Sequence, residues 1–387
     1  MTRIYVIRHA EAEGNLYRRV HGWYNSLITD NGYRQIAALE NRFHKEKIDA
    51  VYSSDLFRTM TTAQAICRPH NLPLHTRSDL REIGVGVWED NTWGYLERHC
   101  ATSLILFNHS SPDFHVEGGE TFAQVQARLK NAILDIARQH PDQTVAVFCH
   151  GMAIRCLQGI LRGLGPGQLD GLGHSDNTGV TCLEVEGERV YIVFENDHSH
   201  LPEEISTLAR QRWWKQKDGC SADANLWFRP LDMETEADFY RTARHEAWVD
   251  IHGPEIPFDG DGFLAEARRC WEHDRRSVVC AMRRDERVGV LQMDLERLAK
   301  EKIGYIPFVY MTPQRRKQGL GVQLIGQAVS TYRPLGRETL RLRCAPENGV
   351  AQRFYKKYGF VKVGEEQGSR VPLDILEKDI SYHAREV

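Results

Sequence analysis

Two histidines in this sequence stand at the ends of short apolar segments. His9 follows the segment IYVI and Arg8, and His150 ends the segment TVAVFC. Arg58 comes a few residues after a third apolar segment, AVYSS, at the start of a predicted helix. A helix start with a guanidinium favours an anion, because free backbone N–H groups and the positive charge both attract it.

These four side chains suit the chemistry of a phosphoryl group. Arginine binds phosphoryl oxygens with paired hydrogen bonds, and a neutral imidazole can attack phosphorus while a cation stabilises the charge on the oxygens. A leaving alkoxide needs a proton, and Glu82 in LREIGVGVWED is the candidate donor if that region folds over the cleft. In a parallel sheet, ligands bind beyond the carboxyl ends of the strands. If the strands before His9 and His150 are neighbours, both imidazoles therefore enter one cleft.

The first two hundred residues alternate strand and helix signals. Thr29 is a predicted helix cap, residues 58–68 and 152–163 are predicted helices, and the apolar spacing from Phe122 predicts a long amphipathic helix. Residues 180–195 are a predicted hairpin. Strands without polar alternation, separated by helices, predict a mostly parallel sheet with helices on both faces.

Composition limits the class of protein. The 387 residues favour two domains, and 41% hydrophobic with 27% charged residues is typical of a globular chain. A net charge of -3 gives no general attraction to nucleic acid or to an acidic membrane. Nine cysteines, dispersed and without a CxxC pair, favour reduced thiols over disulfides or a zinc site. We therefore expect a cytoplasmic protein without a structural metal.

A second pattern begins after residue 204. Residues 205–225 start as a basic helix with Trp213 and Trp214 and loosen into DGCSADAN, which predicts a linker. From residue 226, strand and helix signals with a hairpin at 278–295 predict an α+β domain with a mixed sheet. The predicted organisation is a first domain at 1–204, the linker, and a second domain at 226–387.

The segments RHAEAEGN, HGWYNSLITDNGYRQIA, SSDLFRTMTTA, LREIGVGVWED and FCHG resemble, in this order, the histidine phosphatase superfamily, also called phosphoglycerate mutase-like. The resemblance implies an α/β/α sandwich. It implies that His9 is the nucleophile that becomes phosphohistidine and that Glu82 is the general acid. The side chains that would hold the phosphoryl group are Arg8, Asn15, Arg58 and His150.

The branch of the family decides between hydrolysis and isomerisation. The stretch between Glu82 and His150 is short, whereas mutases of the family carry a long insertion there. The sequence therefore resembles the phosphatase branch, with residues 93–119 covering the substrate. A phosphoglycerate-type mutase is the alternative.

In the second domain, RRKQGLG follows the apolar segment GYIPFVYM and precedes the predicted helix VQLIGQAV. A strand, a glycine turn and a helix start gather backbone N–H groups that suit a pyrophosphate. RKQGLG resembles the R/Q-x-x-G-x-G/A signature of the GNAT superfamily of N-acetyltransferases. ENGVAQRFYKKYGF resembles its N-x-x-A-x-x-x-Y-x-x-x-GF segment. The resemblance covers about residues 226–375.

The resemblance implies that the domain binds acetyl-CoA as co-substrate and transfers its acetyl group to an amine. Tyr355 would protonate the departing thiolate. The backbone that would bind the pantetheine arm is Val309, Tyr310 and Met311. The remaining predicted cofactor-binding residues are Arg316, Lys317, Gln318, Gly319, Leu320, Gly321 and Asn348. The general base is not assigned, and Asp250 and Asp259 are expected to select a cationic amine.

The combined prediction is a bifunctional enzyme that acts on a small phosphomonoester and a small amine, without nucleic acid or membrane as partner. The alternative for the second domain is a non-catalytic module that senses acetyl-CoA and regulates the phosphatase.

Overall fold

The computed structural model describes residues 1–210, 225–368 and 370–382. The chain divides into two compact units, one of Met1–Asn91 with Leu96–Ser221 and one of Thr92–Tyr95 with Ala222–Val387. Most of the predicted linker, including both tryptophans, lies outside the described residues. None of the described helices is both long and apolar enough to cross a bilayer.

The first unit is built on a six-stranded sheet. Its strands are β1 (Thr2–Arg8), β2 (Ala50–Ser54), β3 (Leu74–Arg77), β4 (Thr144–Cys149), β5 (Val180–Glu186) and β6 (Arg189–Asp197). They lie in the order β3-β2-β4-β1-β5-β6. The first four in this order are parallel, and β5 and β6 add the predicted hairpin in antiparallel fashion.

Helices separate the strands of this sheet. They are α1 (Glu13–Tyr17), α2 (Asp30–Phe43), α3 (Phe57–His70), α4 (Trp93–His99), α5 (Ala101–Asn108), α6 (Phe122–Gln139), α7 (Gly151–Leu161) and α8 (Thr207–Arg210). Thr29 caps α2, as predicted, by accepting a hydrogen bond from the backbone N–H of Gly32 at 3.0 Å. The α2 and α3 apolar faces and the buried strand residues form one core, which fixes the strand ends at the site.

The second unit contains a seven-stranded sheet. Its strands are β7 (Trp227–Pro230), β8 (Val278–Arg283), β9 (Glu286–Asp294), β10 (Ile303–Met311), β11 (Thr339–Cys344), β12 (Val361–Gln367) and β13 (Pro372–Asp379). Its helices are α9 (Ala237–His252), α10 (Gly260–His273), α11 (Val322–Tyr332) and α12 (Gly349–Lys357). The order is β12-β13-β11-β10-β9-β8-β7, with a parallel β10–β11 pair among antiparallel neighbours.

Strands β10 and β11 part halfway along their length. Their pairing runs from Ile303 to Ile306, whereas β10 stays paired with β9 as far as Met311. The β10–β9 register shifts between Tyr305 and Phe308. Pro307 lies within this shift and has no backbone N–H to donate to a ladder. The parting opens a slot in the middle of the sheet.

Both sheets confirm the predicted fold class, a mostly parallel α/β unit followed by a unit with a mixed sheet. The short helices α4 and α5 were not predicted. Within residues 93–119, α5 is anchored by Phe107, whose ring centroid lies 5.2 Å from that of Phe114 and 6.0 Å from that of Trp88. Aromatic packing rather than a periodic apolar face holds this segment.

Candidate functional sites

The sheet of the first unit brings His9 and His150 together. Strands β1 and β4 are parallel neighbours with Arg8 opposite Cys149, so the residues that follow them emerge side by side. The two imidazole centroids lie 5.3 Å apart, and both side chains are buried. The condition on which the predicted cleft depended, adjacency of the two strands, is met.

Hydrogen bonds around His9 fix the orientation of its ring. Its Nδ1 lies 2.7 Å from the carbonyl oxygen of Ala10, so the tautomer with the proton on Nδ1 is the one this contact favours. The backbone N–H of Ala10 donates to Thr62 Oγ1 at 3.0 Å, and Asn177 Nδ2 donates to the carbonyl of His9 at 2.9 Å. Nε2 is therefore left with a lone pair that can attack an electrophile.

The surroundings of His9 keep its ring uncharged. Burial, followed by the positive charges of Arg58 and Arg8, holds the pKa of His9 well below its usual value of 6.5. Burial and the charge of Arg58 do the same for the pKa of His150. Both imidazoles are consequently neutral at pH 7, which a nucleophilic histidine requires.

Both predicted arginines point polar atoms into this buried region. Arg58 is fully buried, and its terminal nitrogens donate to the backbone carbonyls of His21, Gly22 and Tyr24 at 2.7–3.0 Å. Arg8 Nη1 donates to the Ser175 carbonyl at 2.6 Å. Burial lowers the pKa of Arg58 to about 10, so the guanidinium stays charged at neutral pH.

Three buried nitrogens next to these groups have no hydrogen-bond partner in the part of the chain that is described. They are Nε of Arg8, Nε of Arg58 and Nδ1 of His150. His150 Nε2 lies 2.9 Å from Ser54 Oγ, which orients this ring. Buried polar atoms are rarely left unpaired, and unpaired donors beside two guanidinium groups are the arrangement that an oxyanion satisfies.

Glu82 reaches the same place from a distant loop. Its carboxylate accepts hydrogen bonds from the backbone N–H groups of Met152 at 3.1 Å and Ala153 at 2.8 Å. These groups belong to the first turn of α7, directly after His150, so the two contacts fix the position of the carboxyl group at this helix start. The predicted acid thus lies beside the second histidine, anchored to its helix.

The predicted phosphate contact Asn15 makes a local bond in this structure. Its Oδ1 accepts the backbone N–H of Ala12 at 3.0 Å at the start of α1. The side-chain oxygen therefore stabilises the turn after His9. A role of Asn15 toward the phosphate stays a prediction.

His21 is a third imidazole at the site that sequence reasoning missed. Its ring centroid lies 5.6 Å from that of His9, edge-on at 84°, and its Nδ1 lies 3.1 Å from Ser26 Oγ. A Cβ on Gly14 would overlap this ring, so the glycine admits it. Burial and the charges of Arg58 and Arg8 hold the pKa of His21 well below 6.5. His21 lies between α1 and α2, outside any helix or strand, so no periodicity in the sequence marks it.

The candidate acetyl-CoA site of the second unit lies where β10 and β11 part. Val309, Tyr310 and Met311 pair with β9 on one side, and the pairing with β11 has ended before them. The outward backbone groups of this stretch can therefore pair with an extended amide-bearing chain such as the pantetheine arm, except the Met311 carbonyl, which accepts a hydrogen bond from Arg316 Nε at 2.9 Å.

The loop before α11 offers a row of unpaired N–H groups. Within the described residues, none of the backbone N–H groups of Lys317, Gln318, Gly319, Leu320 and Gly321 donates a hydrogen bond to the protein. Gly319 has φ +77° and Lys317 φ +60°, so the chain curls here as in an anion-binding nest. These features fit a pyrophosphate.

Four residues that the sequence singled out in this domain have side-chain partners within the chain. Arg316 donates from Nε to the carbonyl of Met311 at 2.9 Å and from Nη1 to Asp250 at 2.7 Å, which ties the loop to α9. Asn348 caps α12 through the N–H of Ala351 at 3.1 Å. Asp259 caps α10 by accepting from Gly262 at 2.8 Å. Asp250 and Asp259 each use one carboxylate oxygen in these contacts, and their role in selecting an amine stays a prediction.

Tyr355 lies on α12 between aromatic rings. Its ring centroid is 5.3 Å from that of Phe354 and 5.3 Å from that of Phe360. Burial, with a smaller effect of Cys344, raises the pKa of the Tyr355 hydroxyl above its usual value of 10.0. The hydroxyl is thus protonated at neutral pH, as a proton donor must be.

Comparison with known proteins identifies the family of each domain. Residues 4–198 match the model of the histidine phosphatase superfamily (branch 1), and residues 241–360 match that of the acetyltransferase (GNAT) family. The chain belongs to the histidine phosphatase superfamily and carries a GNAT domain after it, as the sequence motifs predicted.

Individual relatives cover the first half of the chain. A putative phosphoserine phosphatase 2 of Hydrogenobacter thermophilus is 30% identical over 202 residues, 52% of this chain and 98% of the relative. A probable phosphoglycerate mutase GpmB of Proteus mirabilis is 30% identical over 167 residues, 42% of this chain and 76% of the relative. The solved structure of Bacillus stearothermophilus YhfR is 29% identical, with a TM-score of 0.49, and covers 52% of this chain and 99% of YhfR.

Proposed function

We propose that this chain is bifunctional: its first domain hydrolyses a small phosphomonoester through a phosphohistidine, and its second domain transfers an acetyl group from acetyl-CoA to an amine. The observation that carries the first activity is the pair of neutral imidazoles, His9 and His150, beside two guanidinium groups with unpaired buried donors. The unpaired N–H row of residues 317–321 beside the parted strands carries the second.

Hydrolysis proceeds in two displacements. Nε2 of His9 forms a bond to phosphorus as the ester P–O bond breaks, and the leaving oxygen takes a proton from Glu82. Water then attacks the phosphohistidine, its proton returns to Glu82, and the N–P bond breaks to give inorganic phosphate. Arg8 and Arg58 neutralise the charge on the transferring oxygens in both steps.

Phosphoserine is our first candidate substrate. This candidate is supported by the Hydrogenobacter thermophilus relative, which is named as a putative phosphoserine phosphatase. A metal-independent phosphoserine phosphatase of Arabidopsis thaliana is also 30% identical over 204 residues, 52% of this chain. The second candidate is phosphoglycerate isomerisation, which the GpmB relative favours. Its test is conversion between phosphoglycerate isomers measured beside phosphate release.

In the second domain, the bound acetyl thioester supplies the activated acyl group. The backbone of Val309, Tyr310 and Met311 orients the pantetheine arm, and the amides of residues 317–321 hold the pyrophosphate. The amine nitrogen bonds to the acetyl carbon as the C–S bond breaks, the departing thiolate takes its proton from Tyr355, and the proton that the amine loses goes to solvent. Burial, which raises the pKa of Tyr355, keeps its hydroxyl protonated at neutral pH until that step. A non-catalytic acetyl-CoA sensor remains the rival for this domain.

The test follows phosphate and free thiol in one metabolite screen. We expect His9→Ala to lower phosphate release about 10⁴-fold while thiol release is unchanged. Acid-labile phosphoprotein should form with the parent chain and not with His9→Ala. The exposed His44→Ala is the matched control. Phosphate release that survives His9→Ala contradicts the first activity, and acetyl-CoA binding without thiol release for any amine contradicts the second.

A further inference from the structure

Arg244 of α9 lies on a platform of aromatic rings in the second unit. Its Cζ is 4.0 Å from the ring centroid of Phe308, 4.7 Å from that of Phe263 and 5.5 Å from that of Tyr240. The side chain is half-buried. A cation in this position is attracted by the faces of the rings, an effect worth about 0.5–2 kcal/mol.

The hydrogen bonds of this guanidinium go to neutral acceptors. Nε donates to the hydroxyl of Tyr240 at 2.8 Å, and Nη2 donates to Gln292 Oε1 at 2.7 Å. Neither atom carries a charge that balances the arginine. Nη1 has no hydrogen-bond partner among the residues that the structure describes. Of the two terminal nitrogens of the guanidinium, only Nη2 therefore donates to the protein.

No carboxylate of the described residues lies within ion-pair distance of Arg244. Glu266 on α10 is close enough to act on Tyr240 electrostatically, but it forms no ion pair with the guanidinium. By contrast Arg241, one turn earlier on α9, pairs with Asp261. A partly exposed guanidinium that has donors to spare and no carboxylate partner among the described residues is available to an anionic ligand.

The platform adjoins the candidate acetyl-CoA slot. Phe308 stands at the register shift and directly precedes Val309, where β10 has left β11. Its ring stacks with that of Tyr310 at 6.0 Å. The Tyr310 hydroxyl donates a hydrogen bond to Glu246. Burial, followed by this hydrogen bond, raises the pKa of Tyr310. The face of β10 next to the slot therefore has a cation near Phe308 and a carboxylate near Tyr310. The guanidinium of Arg316 also lies near Tyr310, with its Cζ 5.7 Å from the ring centroid.

We propose that the acetyl acceptor is an amine that also carries an anionic group, a carboxylate or a phosphate, and that Arg244 binds this anion. The ammonium end lies toward Glu246, next to the backbone that holds the thioester. This inference rests on the proposed acetyltransferase function and replaces the expectation of a purely cationic amine. Arg244 can present two parallel N–H donors to an oxyanion, which a lysine cannot reproduce.

The test compares matched amines that differ only in the anion. We would measure thiol release from acetyl-CoA with each common amino acid against its decarboxylated amine, and with phosphoethanolamine against ethanolamine. For the best acceptors we expect kcat/KM to be at least tenfold higher for the anionic member. Whichever pair shows the larger ratio identifies carboxylate or phosphate as the anion.

Two variants connect the preference to the residue. Arg244→Met should reduce the ratio to below twofold, mainly through a higher KM for the anionic amine, with acetyl-CoA affinity retained. Arg244→Lys should restore part of the ratio. Arg241→Met, which removes the same charge one turn away, should keep it. Retained acetyl-CoA affinity shows that the variants are folded.

Two outcomes would overturn the proposal and are distinguishable. Equal rates for both members of each pair, or a ratio that Arg244→Met leaves intact, refute the anion subsite while the acetyltransferase function stands. Acetyl-CoA binding without thiol release for any amine refutes the acetyltransferase function, and the acceptor class falls with it.

Discussion

Gly151 lies directly beneath the guanidinium of Arg8: a Cβ at this position would stand 3.1 Å from Nε and 3.2 Å from Cζ. We expect Gly151→Ala to displace Arg8 by a few tenths of an ångström and to lower kcat/KM for phosphate release by about three- to tenfold, because a shift of about 1 Å at a reacting group costs about 10²-fold. Gly165→Ala, whose Cβ would meet nothing closer than 3.7 Å, is the matched control. Equal activity of the two variants would contradict the expectation that phosphate release depends on the exact position of Arg8.

Glu82→Gln tests the proton donor. A general acid matters most when the leaving group is a poor one, so the loss should be about 10²–10⁴-fold for an alkyl phosphate and much smaller for p-nitrophenyl phosphate. The measurement is kcat for both substrates with the parent and the variant. A uniform loss would instead indicate that Glu82 only anchors α7 through Met152 and Ala153.

The buried histidines predict a fall in stability at acid pH. Burial holds the pKa values of His9, His21 and His150 well below 6.5 in the folded state. At a pH below about 6.5, the unfolded chain therefore binds more protons than the folded chain. Their contribution is fully present above about pH 6.5 and is lost as the pH falls below it.

His21→Gln should reduce this dependence by up to about 1.4 kcal/mol per pH unit, because one fewer proton is taken up on unfolding. Urea titrations at several pH values between 7 and 5 measure it, with the exposed His44→Gln as control. An unchanged slope for His21→Gln would mean that this imidazole is not buried as a neutral group.

Tyr355→Phe tests the second domain. Removing the hydroxyl should lower kcat for thiol release about 10²-fold or more while the affinity for acetyl-CoA is kept, because only the proton transfer is lost. The packing on Phe354 and Phe360 is retained in the variant. If kcat does not change, Tyr355 is an aromatic packing residue of α12.

The sequence was sufficient for features that one segment encodes. The apolar segments before His9 and His150, the Thr29 cap and the glycine loop at 319–321 each lie in a single stretch of chain, and the structure has the corresponding elements. The order of the strands could not be predicted in this way, because it depends on how all the strands of the sheet pack together. Adjacency of β1 and β4 had to be assumed.

Contacts between distant loops were the part that could not be predicted. His21 enters the site because Gly14 makes room and Ser26 holds its Nδ1, and no periodicity reports such an arrangement. Likewise, nothing in the sequence indicates that Asp250 on α9 pairs with Arg316 in the loop before α11, because the two residues come together only in the folded domain.

The parting of β10 from β11 has a cost for the chain when no co-substrate is bound. It exposes strand backbone within a sheet, and unpaired strand backbone is a template for association with other chains. Acetyl-CoA bound in the slot would form hydrogen bonds with these backbone groups. We therefore expect the co-substrate to reduce aggregation of the protein on heating.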